Sequence, residues 1–257
     1  MKNILLVLVL VFTTSLFAKK VNEKDCRGEE FIFAGGECIN YAIFEGDDNE
    51  RLTIIVHGTW DEGTNTLGRY TPFAETLNLN TDLTTIAVAL PGYSKSSLNK
   101  LKSIGSKKYN HQASTKEYVV FLGELVAALK KKYESKEVTL IGHSAGAMMS
   151  ASLAGLKPEL LNNVVLVGGR YSIKDRDMSK TLVAGDVISN MSKDTKFLLV
   201  YGSVDTISKP EVTKKFFEVA KKAGLNVKII EAKDAGHIDL DMTDESVEAI
   251  TELLEEE

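Results

Sequence analysis

Histidine is scarce in this chain, at four of 257 residues, and cysteine is scarcer still at two. No Cys-x-x-Cys pattern occurs, and Cys26 and Cys38 both fall in one short segment near the N-terminus. That leaves no basis for a cysteine-rich metal site or for thiol catalysis. An excess of basic charge is also lacking. Lysine plus arginine number 31 against 36 acidic residues, a net charge of −5, which gives no electrostatic reason to expect a nucleic-acid partner. Internal repeats and long Gly/Ser-rich linkers are absent as well.

A long apolar run occurs at the start. Lys2 precedes an uncharged stretch from Ile4 through Phe17-Ala18, the pattern of a secretory signal peptide over residues 1–18. Cleavage is expected after Ala18, although Leu16 is larger than the usual residue before such a site. An uncleaved anchor is the competing reading. No cysteine directly follows the run, which argues against lipoprotein processing. A periplasmic or secreted protein is therefore expected, with no stable membrane partner after cleavage. In that oxidising setting Cys26 and Cys38 are expected to form a disulfide, closing a short loop through Gly35-Gly36. Residues 19–257 are long enough for a single α/β domain with a full core.

After a hairpin-like segment from Glu30 to Phe44, the sequence alternates between two kinds of pattern. Short apolar runs at Leu52–Val56, Thr84–Leu90, Val138–Ile141, Val164–Val167, Phe197–Tyr201 and Val227–Glu231 read as buried strands. Helical patterns lie between and after them, at Pro72–Leu79, Ala113–Lys132, Ala145–Leu156, Pro210–Ala223 and Thr243–Glu256. Apolar strands alternating with amphipathic helices predict a mostly parallel sheet covered on both faces. Functional loops then gather at the carboxyl ends of the strands.

One motif stands in that position. Gly142-His143-Ser144-Ala145-Gly146 joins a strand to a small, helix-compatible run, the setting of a G-x-S-x-G nucleophile elbow. A serine raised on so sharp a turn adopts a strained backbone, and side chains two positions either side would collide. The helix N-terminus beneath it favours developing negative charge. A serine nucleophile needs a base, and the base needs an acid to orient it. His237 follows the Val227–Glu231 strand and is the last histidine. Asp205 follows the Phe197–Tyr201 strand and lies between the two in the order Ser, acid, His. Asp175 and Asp177 are competing acids that rank below it. His57, in a loop after an early strand, is not assigned as the base.

Charge on a tetrahedral intermediate needs donors. The Ala145 N–H is one, as the residue after the nucleophile, and the Thr59 N–H in His57-Gly58-Thr59-Trp60 is the candidate second. Trp60, Tyr93 and His143 complete the set as candidate substrate contacts.

These pieces, with Leu90-Pro91-Gly92-Tyr93-Ser94, Tyr201-Gly202-Ser203-Val204-Asp205 and Ala235-Gly236-His237, make the chain resemble an α/β-hydrolase. The resemblance spans residues 57 to 237. It implies Ser144 as nucleophile, His237 as base, Asp205 as orienter, and Thr59 and Ala145 as oxyanion donors. No cofactor and no metal site are expected from the residues. A serine at the elbow argues against the dehalogenase and epoxide hydrolase members, which use aspartate there. One departure is that Ser94-Lys95-Ser96-Ser97 follows the Pro-Gly-Tyr turn where a second glycine is more usual.

The polar, basic stretch Asn99–Asn110 is read as a solvated loop. Residues 168–195, where a lid often sits in this family, are too few for a large one. Arg170 within them is read as a surface ion-pair residue, with contact to a substrate carboxylate as the alternative. The expected activity is hydrolysis of a small-molecule ester through an acyl-enzyme. Amide or peptide hydrolysis, or a non-catalytic hydrolase-like binding protein, are the competing readings.

Overall fold

The protein is described by a computed structural model over residues 23–108, 111–171 and 181–256. The expected signal segment, residues 1–18, lies outside these, as do Asp175 and Asp177.

Among the described residues eight strands form one sheet: β1 (Phe31–Ala34), β2 (Glu37–Phe44), β3 (Asp48–Val56), β4 (Leu83–Ala89), β5 (Glu137–His143), β6 (Asn163–Val167), β7 (Lys196–Gly202) and β8 (Asn226–Ala232). Their order across the sheet is β1-β2-β4-β3-β5-β6-β7-β8. The hairpin β1–β2 and the β2–β4 pair are antiparallel. All other pairs are parallel. The helices are α1 (Thr66–Thr81), α2 (Lys116–Lys132), α3 (Ala145–Leu156), α4 (Ala184–Val187), α5 (Pro210–Lys222) and α6 (Asp244–Glu255). This is the α/β-hydrolase arrangement. The described part of the β6–β7 crossover holds α4 and a following single helical turn.

Strand alternation divides the core in two. Ile54, Leu140, Val164, Leu166 and Leu199 face one cluster, which includes residues of α2, α3, α4 and α5. Their neighbours Ile55, Ile141, Val165, Val167 and Leu198 face the other, which includes residues of α1 and α6. Period-two side chains on a doubly covered sheet must be apolar at every position, hence the unbroken runs in the sequence. Burying each such Val, Leu or Ile contributes about 1.5–3 kcal/mol.

Two helix starts differ from the sequence reading by three residues or more. Helix α1 begins at Thr66 rather than at Pro72, because Asn65 caps it by accepting the Gly68 N–H at 3.1 Å. Helix α2 begins at Lys116, where the Thr115 hydroxyl accepts the Tyr118 N–H. The preceding Gln112–Ser114 is a separate tight turn.

From β3 the chain steps to β4 on one side, while β5 lies on the other. The helices leading away, α1 and α2, cover opposite faces. A crevice opens at such a switch point beyond the carboxyl ends of the strands. Pairing of Val56 with Gly142, and of His143 with Val167, sets the ends of β3, β5 and β6 level there. The disulfide Cys26–Cys38 ties the segment before β1 to β2.

Candidate active site

Ser144 sits between β5 and α3 with φ 56° and ψ −113°, a conformation side chains rarely adopt. Contacts on both sides dictate the flanking glycines. A Cβ on Gly146 would lie 2.2 Å from the Val56 carbonyl oxygen, and one on Gly142 would lie 2.5 Å from the Ala147 nitrogen. The turn also changes what the serine does. At this helix N-cap its hydroxyl makes no capping bond; it lies 2.8 Å from His237 Nε2 instead.

The imidazole is oriented from its other side, with His237 Nδ1 2.7 Å from Asp205 Oδ2. A carboxylate accepts, so Nδ1 carries the proton and Nε2 is free to accept from Ser144. The other carboxylate oxygen, Oδ1, accepts the N–H groups of Ile207 and Ser208, both at 2.8 Å. Asp205 is thus buried, anchored and aimed at the ring. The structure brings together Ser144, Asp205 and His237, which stand on the loops after β5, β7 and β8.

Thr59 and Ala145 line the cavity in front of Ser144. Ala145 opens α3, so helix geometry gives its N–H no partner one turn earlier. In the other loop the Gly58 N–H donates to the Tyr70 hydroxyl, and the Trp60 N–H donates to the Tyr93 hydroxyl, both at 3.2 Å. Between these two anchored amides stands the N–H of Thr59.

Trp60, Tyr93 and His143 take other places than the sequence reading assigned, since none of them lines the cavity. Tyr93 returns a hydrogen bond to the Trp60 carbonyl at 2.6 Å, so that pair holds the Thr59 loop from behind. His143 is buried against His237, ring centroids 5.3 Å apart. Its Nε2 donates to the His237 carbonyl at 2.9 Å, and its Nδ1 accepts from the Tyr70 hydroxyl at 2.7 Å. Burial lowers its pKa, partly offset by the charge of Asp241. The reading of His57 as a non-base holds in the geometry. Its Nε2 accepts the Leu90 N–H, its Nδ1 donates to the Gly58 carbonyl, and burial pushes its pKa down to about 4.

Several residues escaped the sequence reading. Tyr70 joins the Thr59 loop to His143. Asp241 is wholly buried and accepts from Arg69 Nη2 at 2.8 Å. The same guanidinium also donates to the Ile238 carbonyl, which braces the loop next to His237. No sequence pattern marks these residues, because a buried carboxylate and an exposed one look alike in a string. The stretch read as a solvated loop also needs correction. Ile104 is buried, and Ile104 through Lys107 form part of the cavity wall. Arg170 lines the same cavity, and among the described residues it has no carboxylate partner.

The cavity has a volume of about 430 Å³, room for a small molecule. Among the described residues no cluster of His, Cys, Asp or Glu could hold a metal ion. A hydroxyl beside an oriented imidazole, with two amides at the cavity wall, is equipped for attack on a carbonyl carbon.

A family profile described as serine aminopeptidase, S33, matches residues 47–196. No curated protein sequence matches the chain. Solved structures resemble it in fold. The meta-cleavage product hydrolase of Pseudomonas fluorescens is 13% identical with a TM-score of 0.64, covering 88% of this chain and 97% of its own. Est1E of Butyrivibrio proteoclasticus, solved with ferulic acid bound, is 15% identical with a TM-score of 0.60, covering 88% and 96% respectively. The carboxylesterase of Bacillus cereus is 19% identical with a TM-score of 0.59, covering 84% and 93%.

Proposed function

The chain belongs to the serine aminopeptidase, S33, family of α/β-hydrolases, and from that premise we propose that it is a serine hydrolase of small-molecule carboxylic esters. The observation that carries this reading is the unbroken relay from Ser144 Oγ through His237 to Asp205, at 2.8 and 2.7 Å. Ser144 attacks the carbonyl carbon while its proton passes to His237 Nε2. The oxyanion accepts from the Thr59 and Ala145 N–H groups. Collapse breaks the ester bond, and His237 returns the proton to the leaving alcohol. Water, deprotonated by the same ring, then releases the acid.

Peptide or amide hydrolysis is the second reading, favoured by the family's description. An aminopeptidase must recognise a free α-ammonium group, for which a carboxylate is the natural partner. Among the described residues the cavity wall carries no aspartate or glutamate, which favours the ester.

We place the activity outside the cytoplasm, in the periplasm or the medium. The apolar segment before residue 19 and the Cys26–Cys38 disulfide support that placement. N-terminal sequencing of protein from the periplasm or medium tests it; an intact Met1 on the exported form would oppose cleavage.

A fluorophosphonate probe followed by peptide mapping tests the chemistry. Label on Ser144, with loss of both label and short-chain ester turnover in Ser144→Ala, is expected. Full turnover by a folded Ser144→Ala protein would refute the assignment.

A further inference from the structure

We propose that the ester this site takes carries an anionic group set apart from the scissile carbonyl, bound by Arg170 and Lys107. The proposal rests on the hydrolase reading above and adds the substrate class.

The chain as a whole is acidic, with a net charge of −5. The described cavity wall reverses that sign: Arg170 and Lys107 are its charged side chains, and no carboxylate is among them. A concave wall of one sign concentrates the opposite one.

Arg170 is presented by a fixed backbone. Gly168, at φ 59°, accepts no side chain easily; its Cβ would lie 3.3 Å from His237 Cε1. The Gly169 carbonyl accepts from the Ser208 hydroxyl at 2.7 Å, and Ser208 also donates its N–H to Asp205. On the other side Tyr171 is buried and stacked on Phe216, ring centroids 4.2 Å apart. With both neighbours held, the exposed guanidinium starts from a rigid base joined to the Asp205 loop. A planar guanidinium matches a carboxylate or phosphate through two parallel N–H bonds.

Lys107 follows a similarly anchored turn. Ser103 and Ile104 are buried. The Gly105 N–H donates to the Ser103 hydroxyl and the Ser106 N–H to the Ser103 carbonyl, both at 3.1 Å. Ile104, Ala113, Met148 and Ile207 supply apolar wall between the polar groups. A short apolar chain ending in an anion suits a space of about 430 Å³ with this lining.

Two paired comparisons of kcat/KM locate the anion. On the acyl side, para-nitrophenyl hydrogen glutarate is compared with para-nitrophenyl pentanoate. On the leaving-group side, the acetate ester of meta-hydroxybenzoate is compared with phenyl acetate. One pair is expected to favour the charged ester by about tenfold or more, as for a charge-assisted contact. Arg170→Gln and Lys107→Gln should each lower that ratio, and added salt should lower it in the wild type. Calorimetric binding of glutarate and of meta-hydroxybenzoate to Ser144→Ala gives a readout independent of turnover, repeated with Arg170→Gln added. Ratios at or below one in both pairs, with neither anion bound, would overturn the proposal. Failure to hydrolyse all four esters would sink the ester reading alone, because anion binding that vanishes with Arg170→Gln would still uphold the anion site.

Discussion

The Tyr70 hydroxyl stands 2.7 Å from His143 Nδ1 and also receives the Gly58 N–H at 3.2 Å. One oxygen therefore connects the loop bearing Thr59 with the histidine that holds the His237 carbonyl. The loop bearing Thr59 and the loop bearing His237 thus share a buried strut. A phenol pKa pushed up to about 12, by burial first and then by Asp241, keeps that oxygen protonated as a donor.

Tyr70→Phe keeps the ring and removes the strut. It leaves the Gly58 N–H and the His143 Nδ1 unpaired in a buried place, at a cost of about 1–3 kcal/mol. Turnover should fall about tenfold in kcat with little change in KM, part of the loss expected for a missing oxyanion donor. Denaturant unfolding and steady-state kinetics measure both effects. An unchanged kcat would show that the strut does not position the site.

Gly146→Ala forces a methyl group to within 2.2 Å of the Val56 carbonyl oxygen. The start of α3 must then move away from β3, and Ser144 moves with it. A loss of about 1–3 kcal/mol is expected from overpacking of this kind, together with a larger proportional loss of activity. Equal unfolding midpoints for variant and wild type would contradict the contact.

His57 predicts acid sensitivity. Its folded pKa is about 4 against an ordinary 6.5. Between those values the unfolded chain binds a proton that the folded chain does not, so stability rises with pH. The contribution is complete above about pH 6.5 and is lost as pH falls towards about 4, amounting to about 3 kcal/mol for this shift. The lowered pKa of His143 acts in the same direction. Urea unfolding of wild type and His57→Gln at neutral pH and near pH 4.5 should show a shallower pH dependence in the variant. Identical slopes would remove His57 as a cause.

Legibility followed the range of the constraint. Ser144 was readable because its strained turn writes Gly142 and Gly146 into its immediate neighbours. The strand-end places of Asp205 and His237 were readable because each follows an apolar run. Tyr70 was hidden because Pro72 was read as the start of α1, leaving residue 70 in an apparent loop when Asn65 caps the helix earlier. Trp60, Tyr93 and His143 carried the right chemistry beside the right motifs, yet their side chains support the walls of the site and do not line it. Ile104 through Lys107 looked solvated because their neighbours in sequence are polar, although Ser103 and Ile104 are buried.

The order of strands and helices, the two-sided sheet, and the serine elbow with its flanking glycines were determined by the sequence alone. Backbone sterics and side-chain periodicity act between residues a few positions apart, so they can be read from a string. Only the tertiary structure decided which polar groups are buried, which hydroxyl bridges the loops, and which cations face the cavity. Those outcomes depend on contacts between distant positions, as between Tyr70 and His143, 73 residues apart, and on solvent exclusion that no local pattern encodes.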